Sequence, residues 1–206
     1  MATVHAAAQW RLFVAIDLGP AARAAFTIAQ AECRRLDLPV RWVDPAGAHL
    51  TLKFLGDTDP ALIASLGAAL RAVAASSPRF ALRTAAPGAF PNPRRPRVLW
   101  LGLEGALDAL THLQAAVDAA LAALGFPCET RPFSPHLTLG RVREDRASEL
   151  VAAVPRLTAT FARLAERPGA SLPVEAIHLI RSELQPAGAR YTTLVSAALG
   201  SAGGMP

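Results

Sequence analysis

Two copies of one tetrapeptide carry the chemistry this chain could do: His49-Leu50-Thr51-Leu52 and His136-Leu137-Thr138-Leu139. Alternate side chains of a β-strand share a face. His49 and Thr51 therefore point one way and Leu50 and Leu52 the other, and His136 and Thr138 repeat the pattern. The leucines can anchor each strand in a core while an imidazole and a hydroxyl face a cleft. Imidazole titrates near neutrality, so it donates or accepts protons under ordinary conditions. Two of them on opposite sides of one atom can divide the work, one taking a proton from water and the other protonating a departing oxygen. The threonine hydroxyls offer donors to anionic oxygens between them. A phosphodiester suits this set: an attacked centre, a leaving oxygen and two nonbridging oxygens.

Other chemistries lack their residues. The chain has no H-E-x-x-H or Cys-x-x-Cys pattern, no Walker-type phosphate loop, and no nucleophile elbow around Ser134. His5 in the N-terminal segment, His112 on a helix and His178 on a strand have no threonine two residues on, and read as structural or solvated residues. Lys53 is the only lysine of a chain with formal net charge +5, so the cationic charge is otherwise arginine. Arg94-Arg95-Pro96-Arg97, next to the Pro-rich Pro87–Pro93, suits phosphate contact or is a solvated loop.

The elements that must position the motifs can be read from periodicity and punctuation. Trp10–Asp17 reads as a strand, and Gly19-Pro20 opens a helix to about Leu36. A short strand at Arg41–Val43 precedes the first motif strand. Asp59 caps a helix to about Ala75, and strands follow at Phe80–Thr84 and Arg97–Leu103. A third helix runs from Leu107 to about Leu124 and stops at Gly125. Pro132 and Pro135 favour extended chain into the second motif strand. A helical region over Ala147–Glu166 should be kinked or split by Pro155. The chain closes on a hairpin, Val174–Leu184 and Arg190–Leu199, around Gln185–Gly188. These units predict an α+β fold in two similar lobes, each with an antiparallel sheet and flanking helices, and the motif strands facing one another across a central cleft. Residues 10–199 are expected to form a single bilobal domain, with 1–9 and 200–206 expected as flexible tails.

At 206 residues, 52% hydrophobic and 18% charged, the chain is expected to bury a substantial core. No apolar run has membrane-spanning length and the N-terminus lacks signal-peptide features. Cys33 and Cys128 are expected as reduced thiols, and the cytoplasm is the expected location.

The paired motifs resemble those of the two-histidine phosphoesterase superfamily, specifically the bacterial RNA 2′,3′-cyclic phosphodiesterases, once called 2′-5′ RNA ligases. Further segments carry the resemblance: Arg11–Asp17, Trp42–Pro45, Pro96–Leu101, Phe133–Arg141, and Ile180–Leu184 through Tyr191. It implies a metal-independent site without a cofactor that opens a 2′,3′-cyclic phosphate on RNA or a nucleotide to a 2′-phosphomonoester, in a monomeric protein. His49 would be the proton donor and His136 the proton acceptor. Thr51 and Thr138 would bind the phosphate, Phe54 would stack on the base, and Arg141 would contact phosphate or substrate. In a regular strand, Phe54 and Arg141 lie on the face opposite their histidines, so both assignments need a local irregularity. A binding protein without turnover and the reverse ligation remain alternative readings.

Overall fold

The computed structural model describes residues 9–146, 150–185 and 188–201. Among these residues nine strands form two antiparallel sheets. The first holds β1 (Trp10–Asp17), β3 (His49–Thr58), β8 (Ala176–Gln185) and β9 (Gly188–Ala198), in the order β3-β1-β8-β9. The second holds β2 (Val40–Trp42), β4 (Phe80–Phe90), β5 (Val98–Gly105), β6 (Leu137–Val142) and β7 (Ser171–Val174), in the order β2-β6-β5-β4-β7. Among the described residues, helices α1 (Gly19–Arg34), α2 (Ile63–Ala75), α3 (Leu107–Ala122) and α4 (Val154–Ala165) back them.

The lobes are not consecutive halves of the chain. The first sheet is made from the two ends of the described chain, and the second from the stretch between them plus β2. Helices change sides too. α1 follows a strand of the first sheet but packs on β4, β6 and β7 of the second, while α3 follows β5 of the second and packs on β3. Among the described residues the main apolar core unites Leu12, Val14 and Leu179 of the first sheet with Leu82, Leu99 and Leu139 of the second, while Phe13, Ala15 and Ile180 form a smaller cluster with Tyr191 against it. Alternation accounts for it: Leu12, Val14 and Ile16 are all fully buried on one face of β1.

Four expectations need correction. Strand β4 continues through the Pro-rich stretch to Phe90, because its pairing with β7 stops at Arg83 and a bulge between Ala85 and Pro87 accommodates the missing N–H. Asp59 caps a short 3₁₀ turn, Pro60–Leu62, that leads into α2, accepting from the Ala61 N–H at 2.9 Å. Pro155 does not kink a helix but sits in the first turn of α4, where its missing N–H costs nothing. Gly200 is held, donating to Ala74 and Ser77 carbonyls at 3.0 Å and bridging to Pro78. Gly125 does stop its helix, at φ 91°. The expectations for residues 1–8 (with His5), Pro186-Ala187 and 202–206 lie outside the described residues. Cys33 is buried, which pushes its thiol up to about 12 with help from Glu32; Cys128 is exposed, and neither is bridged.

Candidate active site

Each histidine is held by the same local device. His49 Nδ1–H donates to the Gly47 carbonyl at 2.8 Å, and His136 Nδ1–H donates to the Ser134 carbonyl at 2.7 Å. A carbonyl only accepts, so Nδ1 carries the proton in both rings and Nε2 is left to the cleft. Both rings are partly buried and touch aromatics. His49 stacks on Phe13 at 4.6 Å and meets the edge of Tyr191 at 5.2 Å; His136 meets Phe90 edge-on at 4.9 Å. Tyr191 comes this close because residue 47 is glycine: a Cβ there would stand 2.8 Å from the tyrosine ring.

Thr51 and Thr138 are half-buried on the same faces as their histidines, with Leu50, Leu52, Leu137 and Leu139 in the core. Beyond the threonines, both strands break alternation in the same way. Pairing of β1 with β3 slips around Leu52, Thr51 matching Ala15 while Lys53 matches Val14. Pairing of β5 with β6 slips around Leu139, Thr138 matching Trp100 while Gly140 matches Leu99. Each bulge turns two consecutive residues inward, Leu52-Lys53 and Leu139-Gly140, and returns the next one to the histidine's face. Phe54 (59% exposed, 6.1 Å from Phe13) and the exposed Arg141 are thereby brought to the site side, which removes the parity objection to both.

The bulges are also satisfied alike. The displaced Leu139 carbonyl accepts from the Val43 N–H and from buried Gln30 of α1, each at 3.0 Å. The Leu52 carbonyl accepts from buried Gln114 of α3 at 3.5 Å. What fills the second inward position differs. Lys53 is buried, ion-paired with Asp118 of α3 and donating to the Pro127 carbonyl at 2.7 Å. Burial alone would raise the Asp118 carboxyl, but hydrogen bonds from Lys53 and the Glu129 N–H hold it below its ordinary value. Gly140 has no room for a side chain: a Cβ would lie 2.5 Å from Val40 Cγ1 and 3.0 Å from the Arg41 carbonyl.

Strands β3 and β6 touch, and the charge of Arg141 is felt at both His136 and Tyr191, so the two faces look onto one cleft. Burial lowers both imidazole pKa values. At His49 it is opposed by the Gly47 carbonyl and by Asp17, with Arg23 adding to the lowering. At His136 it is opposed by the Ser134 carbonyl, and Arg141 adds to the lowering. Among the described residues no group of three or more His, Cys, Asp or Glu is placed to hold a metal ion, and no helix is long and apolar enough to cross a membrane.

Motif reading assigns no role to Phe13 or Asp17, although both lie in the Arg11–Asp17 segment, and it misses Arg23 and Phe90, which are remote from the motifs in sequence. Arg23 pairs with Asp17 and donates to the Pro45 and Ala46 carbonyls at 2.6 and 2.8 Å, fixing the turn that carries Gly47. His178 also reaches the site face, as the cross-strand neighbour of Ala15, which in turn pairs with Thr51; its buried Nδ1 has no hydrogen-bond partner among the described residues.

Two sheets that each present an Nδ1-anchored histidine and a threonine to one cleft define a bilobal phosphoesterase-type site. The chain belongs to the 2′-5′ RNA ligase superfamily, whose family model matches residues 20–186. It is 33% identical over 184 residues to the RNA 2′,3′-cyclic phosphodiesterase of Methanothermobacter thermautotrophicus, covering 89% of this chain and 96% of that one. Among solved structures, TT0787 of Thermus thermophilus superposes with TM-score 0.72 at 30% identity, covering 93% and 98% of the two chains. Escherichia coli LigT complexed with 3′-AMP gives 0.69 at 26%, again over 93% and 98%.

Proposed function

We propose that this protein is an RNA 2′,3′-cyclic phosphodiesterase that opens the cyclic phosphate at an RNA or nucleotide end to a 2′-phosphomonoester without a metal. The observation that carries this reading is the pair of identically anchored imidazoles, each with a threonine on its own strand face. The names of its relatives agree with it.

In the proposed reaction His136 enters neutral and His49 protonated. His136 Nε2 takes a proton from water as the water oxygen bonds to phosphorus. The bond from phosphorus to the 3′ oxygen breaks, and His49 Nε2–H gives that oxygen its proton. One P–O bond forms, one breaks, and the proton count is restored when the histidines exchange protons with solvent. Thr51 and Thr138 donate to the nonbridging oxygens, Arg141 offsets their charge, and Phe54 supports the base. Burial lowers both imidazoles, but Asp17 beside His49 opposes the lowering against a smaller contribution from Arg23, whereas Arg141 beside His136 adds to it, which supports this direction of transfer.

Incubating the protein with an RNA ending in a 2′,3′-cyclic phosphate should yield the 2′-phosphomonoester; a 3′-phosphomonoester, or no turnover by folded protein, would overturn the proposal. Roles are separated with an activated aryl phosphodiester whose leaving group needs no proton. His49→Ala should be rescued on it and His136→Ala should not.

A further inference from the structure

Exposed arginines gather at one end of the second sheet. On the first sheet Arg11 and Arg190 are exposed on separate strands, β1 and β9, and Arg181 pairs with Glu183 and lies over the face of Trp10 at 4.0 Å; on the second sheet Arg83 reaches Glu104 at 3.8 Å. In the second lobe, Arg41, Arg94, Arg95, Arg97, Arg141 and Arg143 are all exposed, and none has a carboxylate partner among the described residues. Arg41 and Arg141 are direct cross-strand partners on β2 and β6. Their inward neighbours Val40, Trp42 and Val142 pack on the core, so both guanidinium groups stand on the face that carries Thr138. Like charges directly opposite one another destabilise a sheet unless something anionic lies between them.

The row continues away from the cleft. Arg143 follows Arg141, with its N–H bonded to the Pro39 carbonyl at 2.8 Å, and the Arg97 carbonyl receives the Val142 N–H at 2.9 Å. Arg94 and Arg95 are presented by a built turn, since both their N–H groups donate to Asn92 Oδ1, at 3.0 and 3.1 Å. This turn lies on the β4–β5 hairpin whose Phe90 abuts His136. One end of the row is thus at the cleft and the other at the hairpin tip. A single cyclic phosphate needs one such cation, and six spaced along a sheet end are in excess of it.

Building on the reading of the site given above, we propose that Arg41, Arg143, Arg97, Arg94 and Arg95 extend from Arg141 as a phosphate track for the single-stranded RNA preceding the cyclic end, so that the preferred substrate is an oligonucleotide. Arginine contacts to successive phosphates release counterions and give a steep salt dependence, about 0.7 of a log unit in affinity per contact for each tenfold change in salt on single strands. No base need be read for this, so the track is indifferent to sequence.

The test compares wild type with R41Q/R94Q/R95Q/R97Q/R143Q, which leaves Arg141, both histidines and both threonines in place. For an eight-nucleotide RNA with a 2′,3′-cyclic end, kcat/KM should fall at least about tenfold with a shallower salt slope, as expected when phosphate contacts are lost. For a cyclic mononucleotide it should be unchanged, which also reports an intact fold and cleft. Binding of the same RNA ending in a 2′-phosphate, read by fluorescence anisotropy, should weaken in parallel and needs no turnover. Unchanged RNA affinity and salt slope would overturn the track. Equal loss on both substrates would overturn it too, placing the charges at the reacting phosphate or in the fold. If neither cyclic substrate turns over in wild type, the catalytic reading fails, while the anisotropy result still decides the track.

Discussion

The two half-sites hold the same imidazole in the same hydrogen bond but secure their surroundings by opposite means. Around His49, charge does the holding: Arg23 grips the preceding turn and Lys53 is locked to Asp118 beneath the strand. Around His136 the absence of a side chain does it, as Gly140 lets β2 close over the bulge, and the approach from Pro127 to Arg131 is exposed coil. That coil is tied to the first half-site through the Lys53–Pro127 and Glu129–Asp118 bonds. The difference teaches that a repeated side-chain geometry needs only a repeated backbone course. Any device that turns two consecutive residues inward restores the outward direction of the third.

The largest effect expected from breaking this comparison is chemical and symmetric. His49→Ala and His136→Ala should each cost about 10²–10⁴-fold in turnover of a cyclic phosphate. Melting should barely change, since leucines and not imidazoles anchor the strands; near-normal activity of either folded variant would refute the shared role.

Stability should split the half-sites. Lys53→Met strands the Asp118 carboxylate and is expected to cost about 3–5 kcal/mol in denaturant unfolding, with K53M/D118L recovering most of it. Gly140→Ala forces a Cβ onto β2 and should cost about 1–3 kcal/mol. It should also displace Arg141, so KM rises with little change in the pKa of His49. Equal losses at both positions would argue against different supports.

The finest test is the pH profile. In the proposed reaction kcat/KM rises as His136 loses its proton and falls as His49 loses its own, giving a bell whose limbs belong to the coupled pair. Arg141→Gln removes a group that lowers the His136 pKa, so the acidic limb should move to higher pH. Asp17→Asn removes a group that raises the His49 pKa, so the alkaline limb should move to lower pH. Shifts of the opposite limbs would exchange the two roles.

The histidines, threonines and anchoring leucines were legible because strand alternation is a property of neighbours. So were β1, with its period of two, and α3, stopped by Gly125. Phe54 and Arg141 were named only through the resemblance, and alternation put them on the wrong face, because a bulge is set by what packs beneath a strand. For β3 that is Asp118 of α3, and for β6 it is Val40 of β2. Neither partner is marked in the motif itself. The interleaving of the sheets was hidden for a related reason. Pairing of Ala15 with His178 is decided by which apolar faces meet, and two similar lobes could equally have been drawn from consecutive halves.

That interleaving orders events during synthesis. Sheet one, with His49 on its edge strand, cannot close until β8 and β9 have left the ribosome, whereas all strands of sheet two are available by Val174. Distant pairings of this kind form late and slowly. A partly made chain can therefore pair β1 with β3 and assemble the second sheet around His136, but the first sheet is completed only as the closing hairpin docks against β1.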